Sequence, residues 1–185
     1  IVASYSVIIS KDVIDKAPRG ILGVHPSLLP KLRGPSPIQT AILHGDNKTG
    51  TTIFLLDELV DHGDVLYSTE MGIQDSDTFE SLRDILAKLG AKILIDNFSK
   101  IESGNMPSIP QKDNEATHTE LFEAHDGFVS ADDLEKAERG NKEKATEIFR
   151  KIRALNPEPG VYSLQDNKRV KLLGAKVKDD KLVLT

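Results

Sequence analysis

His25, in His25-Pro26-Ser27-Leu28-Leu29-Pro30, and Asp61, in Val60-Asp61-His62-Gly63-Asp64, are the residues best suited by type to move a proton. A neutral imidazole gives or takes one proton near pH 7, and a carboxylate beside it raises its pKa and fixes its tautomer. Each follows an apolar stretch that must position it. Ile21-Leu22-Gly23-Val24 reads as a short buried strand running into His25. Residues 51–56 (Thr, Thr, Ile, Phe, Leu, Leu) read as a second strand leading to the Asp61 loop. Open α/β sheets bind ligands at the carboxyl ends of their strands, so the two residues are expected to meet there. Asp57, Glu58, Asp61 and Asp64 crowd one loop, but with irregular spacing and no accompanying histidine pattern; an exposed acidic turn is expected, with no metal. His44, His62, His118 and His125 are scattered, and no role is assigned to them.

The elements around this pair are legible from periodicity and punctuation. Residues 1–9 read as a strand, residues 11–17 as a short helix, and Pro18-Arg19-Gly20 as a turn, which makes the first strand and the strand of residues 21–24 parallel neighbours. Pro35-Ser36-Pro37 opens a helix to about His44, and Gly45 stops it. Residues 46–50 are expected to be a loop and residues 65–73 a further strand. Phe79, Leu82, Ile85, Leu86, Leu89, Ile93 and Leu94 recur at helical spacing and form a core-facing stripe. Ser130 and Asn141 read as caps of two further helices; the second carries Ala145, Ile148, Phe149, Ile152 and Leu155 on one face. Asn156-Pro157-Glu158-Pro159-Gly160 ends it. The tail alternates around Asn167 and Asp179-Asp180 like two β-hairpins.

Composition excludes several classes. The 185 residues include no Cys and no Trp, so disulfides and thiolate metal sites are out; this fits a reducing cytoplasm. No apolar run is long enough to span a membrane. The net charge of −5 hides an asymmetry: residues 1–135 carry 11 Lys and Arg against 22 Asp and Glu, and residues 136–185 carry 13 against 7. A basic tail on an acidic body suggests a polyanion partner, with Arg150, Lys151, Arg153, Lys168, Arg169 and Lys171 as the candidate contacts.

Taken in order, the histidine motif, then Arg33-Gly34-Pro35-Ser36-Pro37-Ile38-Gln39, then Thr49-Gly50-Thr51-Thr52, then the Asp61 motif, resemble the formyltransferase family that uses 10-formyltetrahydrofolate. Ile152-Arg153-Ala154-Leu155-Asn156-Pro157-Glu158-Pro159-Gly160 is similar to the start of the C-terminal domain in the methionyl-tRNA formyltransferase branch of that family. The resemblance implies an α/β fold. Residues 1–112 would be the C-terminal half of a Rossmann-like formyltransferase domain, residues 113–135 a linker, and residues 136–185 the beginning of an OB-like, tRNA-binding β-barrel. It implies that the first part of the catalytic domain and most of the barrel lie outside this chain, and that the full-length protein is a cytoplasmic monomer.

The implied reaction moves a formyl group from 10-formyltetrahydrofolate, the co-substrate, to the amine of methionyl initiator tRNA in translation initiation, without a metal. The resemblance makes His25 and Asp61 the catalytic pair. It makes Ser27, Leu28, Leu29 and Pro30 the folate-contact stretch. Gly23 stands where the family usually has an Asn that donates to the formyl oxygen; loss of one such donor costs about 10²–10³ in turnover. Two other readings remain open: a formyltransferase for a small amine (an amino sugar or glycinamide ribonucleotide), and a folate- or tRNA-binding fragment without turnover.

Overall fold

Alternation of side chains along the strands builds the four-stranded sheet that carries His25. The computed structural model describes residues 1–5 and 7–185, and the chain divides into two units. The first comprises Ile1–Ile38, Asn47–Gln74 and Glu80–Glu120; the second comprises Gln39–Asp46, Asp75–Phe79 and Leu121–Thr185.

The first unit holds a four-stranded sheet in the order β1 (Val2–Ala3), β2 (Leu22–His25), β3 (Lys48–Leu55), β4 (Val65–Gly72). β1 and β2 are parallel, as the strand–helix–strand order requires, with α1 (Lys11–Ile14) in the crossover. β2 and β3, and β3 and β4, are antiparallel. The two strands therefore finish at opposite ends of the sheet, and the expectation that His25 and Asp61 meet because both lie at carboxyl ends of strands is corrected. His25 pairs with Thr52, while the end of β3, Leu55, lies opposite Leu22. The predicted strand of residues 1–9 shrinks to Val2–Ala3, and residues 7–9 are not strand; Ser6 lies outside the described residues. β3 begins at Lys48 within the predicted loop, so Gly50, expected in a turn, is a strand residue opposite Glu70.

Because the strand repeat is two residues, Leu22 and Val24 face one side of β2, and Gly23 and His25 the other. The first side is the core. Leu22, Ile53, Leu66 and Ile93 form its buried centre, with Val24, Leu55, Leu89, Ile101 and Met106 against it. Leu89 and Ile93 come from α3 (Phe79–Asp96), whose buried residues are Leu82, Leu86, Gly90 and Ile93. This confirms the predicted amphipathic stripe, although Ile85 is exposed. Gly90, which the apolar pattern skips, lets α3 approach the sheet: a Cβ there would press on Val24 and Thr51. Thr51 donates to the Leu86 carbonyl at 3.0 Å. α4 (Phe98–Ser103) follows and ends at Gly104.

In the second unit, α5 (Ala131–Glu138) and α6 (Lys142–Leu155) start where the caps predicted. Ser130 accepts from the Asp133 amide and Asn141 from the Lys144 amide, each at 3.0 Å. α6 buries Ala145, Ile148, Ile152 and Leu155, and Phe149 is half-buried. β5 (Tyr162–Gln165) pairs with β6 (Lys168–Lys171), and β7 (Ala175–Lys178) with β8 (Lys181–Leu184), as two antiparallel hairpins. Their turns, Asp166-Asn167 and Asp179-Asp180, have φ of 50°, 60°, 50° and 61°. These positive values match the twist of a two-residue hairpin and suit Asn and Asp. α2 (Pro37–His44), which begins in the first unit and continues into the second, ends before Gly45 as expected.

Candidate active site

β2 delivers His25 to a loop fastened from below by β3. Thr52, directly opposite His25 and fully buried, donates its hydroxyl to the Ser27 carbonyl (2.7 Å) and accepts from the Leu29 amide (3.2 Å). Ser27 turns inward, donating to the Lys31 carbonyl at 2.6 Å. Its hydroxyl proton is thus spent inside the loop. Leu28, Leu29 and Pro30 remain half-buried, leaving apolar surface open to a ligand.

His25 is 6% exposed. Its Nε2 lies 2.8 Å from the Leu32 carbonyl. A carbonyl only accepts, so Nε2 carries a proton. Nδ1 faces Asp61 Oδ2 at 3.4 Å, longer than a closed charge-assisted bond. The two residues therefore meet, but Asp61 does not set the histidine's pKa as expected. Burial, the larger effect, holds His25 below its usual 6.5, and the Asp61 charge and the Leu32 carbonyl push upward without overcoming it. The result is a neutral imidazole whose unprotonated Nδ1 points at a carboxylate. A proton arriving there would meet the Asp61 carboxylate, which offsets part of the burial cost.

Asp61 is held by groups from far along the chain. Its Oδ2 accepts from the Gly34 amide at 2.8 Å, and its carbonyl from Gln111 Nε2 at 2.9 Å. Gly34 has φ of +108°, and a Cβ there would lie 2.8 Å from the Thr119 carbonyl, so only glycine presents this amide. Asp61 itself sits at φ 50°, in the left-handed region that Asp adopts more readily than most residues with a side chain. Beside Gly34, buried Arg33 donates Nε and Nη2 to Gln111 Oε1 (3.1 and 2.9 Å) and Nη2 to Asp113 (3.0 Å). Thr117 and Thr119 bind the backbone of Leu32, Arg33 and Ser36. Thr52, Gln111, Thr117 and Thr119 were not anticipated as site residues; only the polar character of Gln111 and the threonines hints at them.

Gly23 has a structural reason. It pairs with Phe54, on the same face of the sheet as His25. A Cβ at Gly23 would run into the Phe54 ring and lie 2.8 Å from Leu56 Cδ1. The Phe54 ring fills the place a side chain at position 23 would take.

The candidate polyanion contacts separate into two groups. Arg153 is buried, donates to the Asp77 carbonyl at 2.8 Å and stacks on Phe149, so it is a packing residue. Arg150 and Lys151 donate to the His44 and Phe128 carbonyls. Lys168, Arg169 and Lys171 on β6 are exposed, and Arg169 lies 4.2 Å above the Tyr162 ring. Among the described residues, no group of three or more His, Cys, Asp or Glu could hold a metal ion, and no helix is long and apolar enough to cross a membrane.

Known proteins resemble the chain in sequence and in fold. The chain is 39% identical over 179 residues to a methionyl-tRNA formyltransferase from Agathobacter rectalis, covering 97% of this chain and 54% of that protein. It is 37% identical over 180 residues to one from Kosmotoga olearia, covering 97% and 55%. It thus spans about half the length of the curated relatives it matches. Two solved structures share the fold. HypX from Aquifex aeolicus, in complex with tetrahydrofolic acid, has a TM-score of 0.76 at 23% identity, covering 94% of this chain and 28% of that one. An N-formyltransferase from Helicobacter canadensis, in complex with folinic acid and dTDP-3-aminofucose, has 0.69 at 20%, covering 94% and 60%. The sequence model of the Formyl transferase family matches residues 1–98, just over half the chain, and that of the Formyl transferase C-terminal domain matches residues 142–182. By that match, its mixed sheet with flanking helices is part of a formyltransferase domain, and the chain belongs to the formyl transferase family.

Proposed function

We propose that the protein containing this chain transfers a formyl group from 10-formyltetrahydrofolate to the amine of methionyl initiator tRNA. The observation that carries the proposal is the buried His25 facing half-buried Asp61 at the head of the residue 25–30 loop. A neutral amine attacks the formyl carbon, the bond from that carbon to folate N10 breaks, and the amine loses a proton as N10 gains one. An imidazole kept neutral by burial can accept the proton, and Asp61 stabilises the imidazolium that forms. Leu28, Leu29 and Pro30 offer the apolar surface for the folate, with Ser27 serving through the loop backbone it fixes. Residues 1–112 act as the catalytic part, residues 113–135 as the connection, and residues 136–185 as the start of an OB-like barrel that meets tRNA through Lys168, Arg169 and Lys171. The names of the curated relatives and the exposed basic β6 support tRNA over a small amine. The protein works in the cytoplasm, as a monomer at full length.

Formyl transfer by the full reading frame, with His25→Ala as control, tests the proposal. Transfer that falls to background in the control is expected; transfer unchanged by it would sink the assignment of His25. A second reading, a folate- or tRNA-binding protein with little turnover, is favoured by Phe54 occupying the space beside Gly23. Folate binding without transfer would select it.

A further inference from the structure

We propose that His62 is a positioning residue: held between Asp57 and Asp113, it ties the loop of residues 57–64 to the segment of residues 109–119 and so fixes Asp61. The inference rests on the formyl-transfer reading for its consequence, but not for its geometry.

His62 follows Asp61 directly. Its Nδ1 lies 2.5 Å from Asp57 Oδ2 and its Nε2 3.4 Å from Asp113 Oδ1. Asp113 is also bound by Arg33 at 3.0 Å, and Arg33 is held by Gln111, whose amide nitrogen donates to the carbonyls of Asp61 and Gly63. A closed circuit therefore runs from Asp57 through His62, Asp113, Arg33 and Gln111 back to the Asp61 backbone. That backbone is at φ 50°. Asp adopts this left-handed conformation more readily than most residues, but in a loop it is one of several open to the chain, and neighbouring contacts select it. Gln111 grips the carbonyls of Asp61 and Gly63, and the His62 ring anchors the residue between them.

The charged groups that face His62 are Asp57 from its own loop and Asp113 from the other segment, with Arg33 behind Asp113. Of the other loop acids, Glu58 lies toward Lys11 (3.9 Å), Asp61 faces His25 and Gly34, and Asp64 accepts from Ser108. Both ring nitrogens thus face carboxylates, which only the imidazolium satisfies with two donors. The hydrogen bond His62 donates to Asp57, then the Asp57 charge, then Asp113, outweigh burial and hold His62 above its usual 6.5. The clamp is complete below that pH and opens as pH rises through the elevated value.

The test uses the full reading frame, with the His62 imidazole titrated by NMR and exchange of the Gly34 amide, which reports the Asp61 contact, followed across the same pH range. His62 is expected to titrate above 6.5, and the protection of the Gly34 amide, its exchange corrected for the base-catalysed intrinsic rate, to fall as it deprotonates. His62→Gln is expected to quicken that exchange at every pH and to lower kcat for formyl transfer by about threefold to tenfold with KM for folate little changed. His62→Arg, which keeps a cation between the two acids, should restore the rate and remove its fall at high pH. Titration at or below 6.5, or Gly34 exchange indifferent to His62 and its variants, overturns the inference. Absence of formyl transfer while exchange still follows His62 protonation supports the positioning role and rejects the reaction instead.

Discussion

Position 23 shows how an absent side chain can be enforced by a neighbour. Gly23 and Phe54 are cross-strand partners, and the ring occupies the volume that any Cβ at 23 would enter. Gly23→Asn alone is therefore expected to destabilise the protein by about 1–3 kcal/mol through overpacking, measured as a lower melting midpoint. Combining it with Phe54→Leu, which removes the outer ring atoms, should recover part of that loss, a coupling that a double-mutant cycle reads directly. If a missing donor limits the reaction, only the double variant will gain rate. Two histidines on neighbouring segments answer pH in opposite senses. Unfolded His25 binds its proton near 6.5, whereas folded His25 binds it only at lower pH because burial opposes the charge. Between those values the unfolded chain holds more protons, so stability falls as pH drops below 6.5. His62 does the reverse, contributing fully below 6.5 and losing its contribution as pH rises. His25→Gln is expected to flatten the acid side of the stability–pH curve, measured by urea midpoints.

At the scale of elements, β3 positions the site as much as β2 does. Thr52 sends one hydroxyl to both the Ser27 carbonyl and the Leu29 amide. Thr52→Val keeps the shape and removes the hydroxyl, leaving two backbone groups unpaired beneath the loop; a loss of about 1–3 kcal/mol is expected on thermal unfolding. A loss near zero would mean that solvent or a shifted loop satisfies them. The sequence made β2, α2, α3, both helix caps and both hairpins legible, because each is announced by local periodicity or by a residue such as Ser130 or Asn141. The pair His25 and Asp61 was legible too, through the words around them. The support was not. Gln111, Thr117 and Thr119 act on residues about eighty positions earlier, through hydrogen bonds that leave no periodic trace. The antiparallel placing of β3 was equally hidden, since strand direction is decided by pairing and not by the strand's own residues. The sign of the His25 shift depended on burial weighed against one charge, and burial is a property of the folded site alone.

For the whole molecule, the segregation of charge carries the most consequence. Residues 136–185 hold 13 Lys and Arg against 7 Asp and Glu. Burial then divides the cations by task. Arg153 is 8% exposed and bonded to a backbone carbonyl, so its guanidinium is committed to packing. Lys168, Arg169 and Lys171 share one exposed strand, with Arg169 spread over the Tyr162 ring and its charge still facing outward. If this strand meets tRNA phosphates, binding must release counterions, and affinity must fall linearly on a logarithmic salt scale. Each neutralising substitution among Lys168, Arg169 and Lys171 is expected to reduce that slope by about 0.7–0.9 and to weaken binding of initiator and elongator tRNA alike. Arg153→Met should instead lower thermal stability and leave the slope unchanged. Fluorescence titrations of the full reading frame at several salt concentrations separate the two behaviours. A slope that ignores the β6 variants would place the tRNA contacts elsewhere on the protein. A slope that falls with Arg153→Met would mean that the guanidinium leaves its carbonyl to reach the ligand.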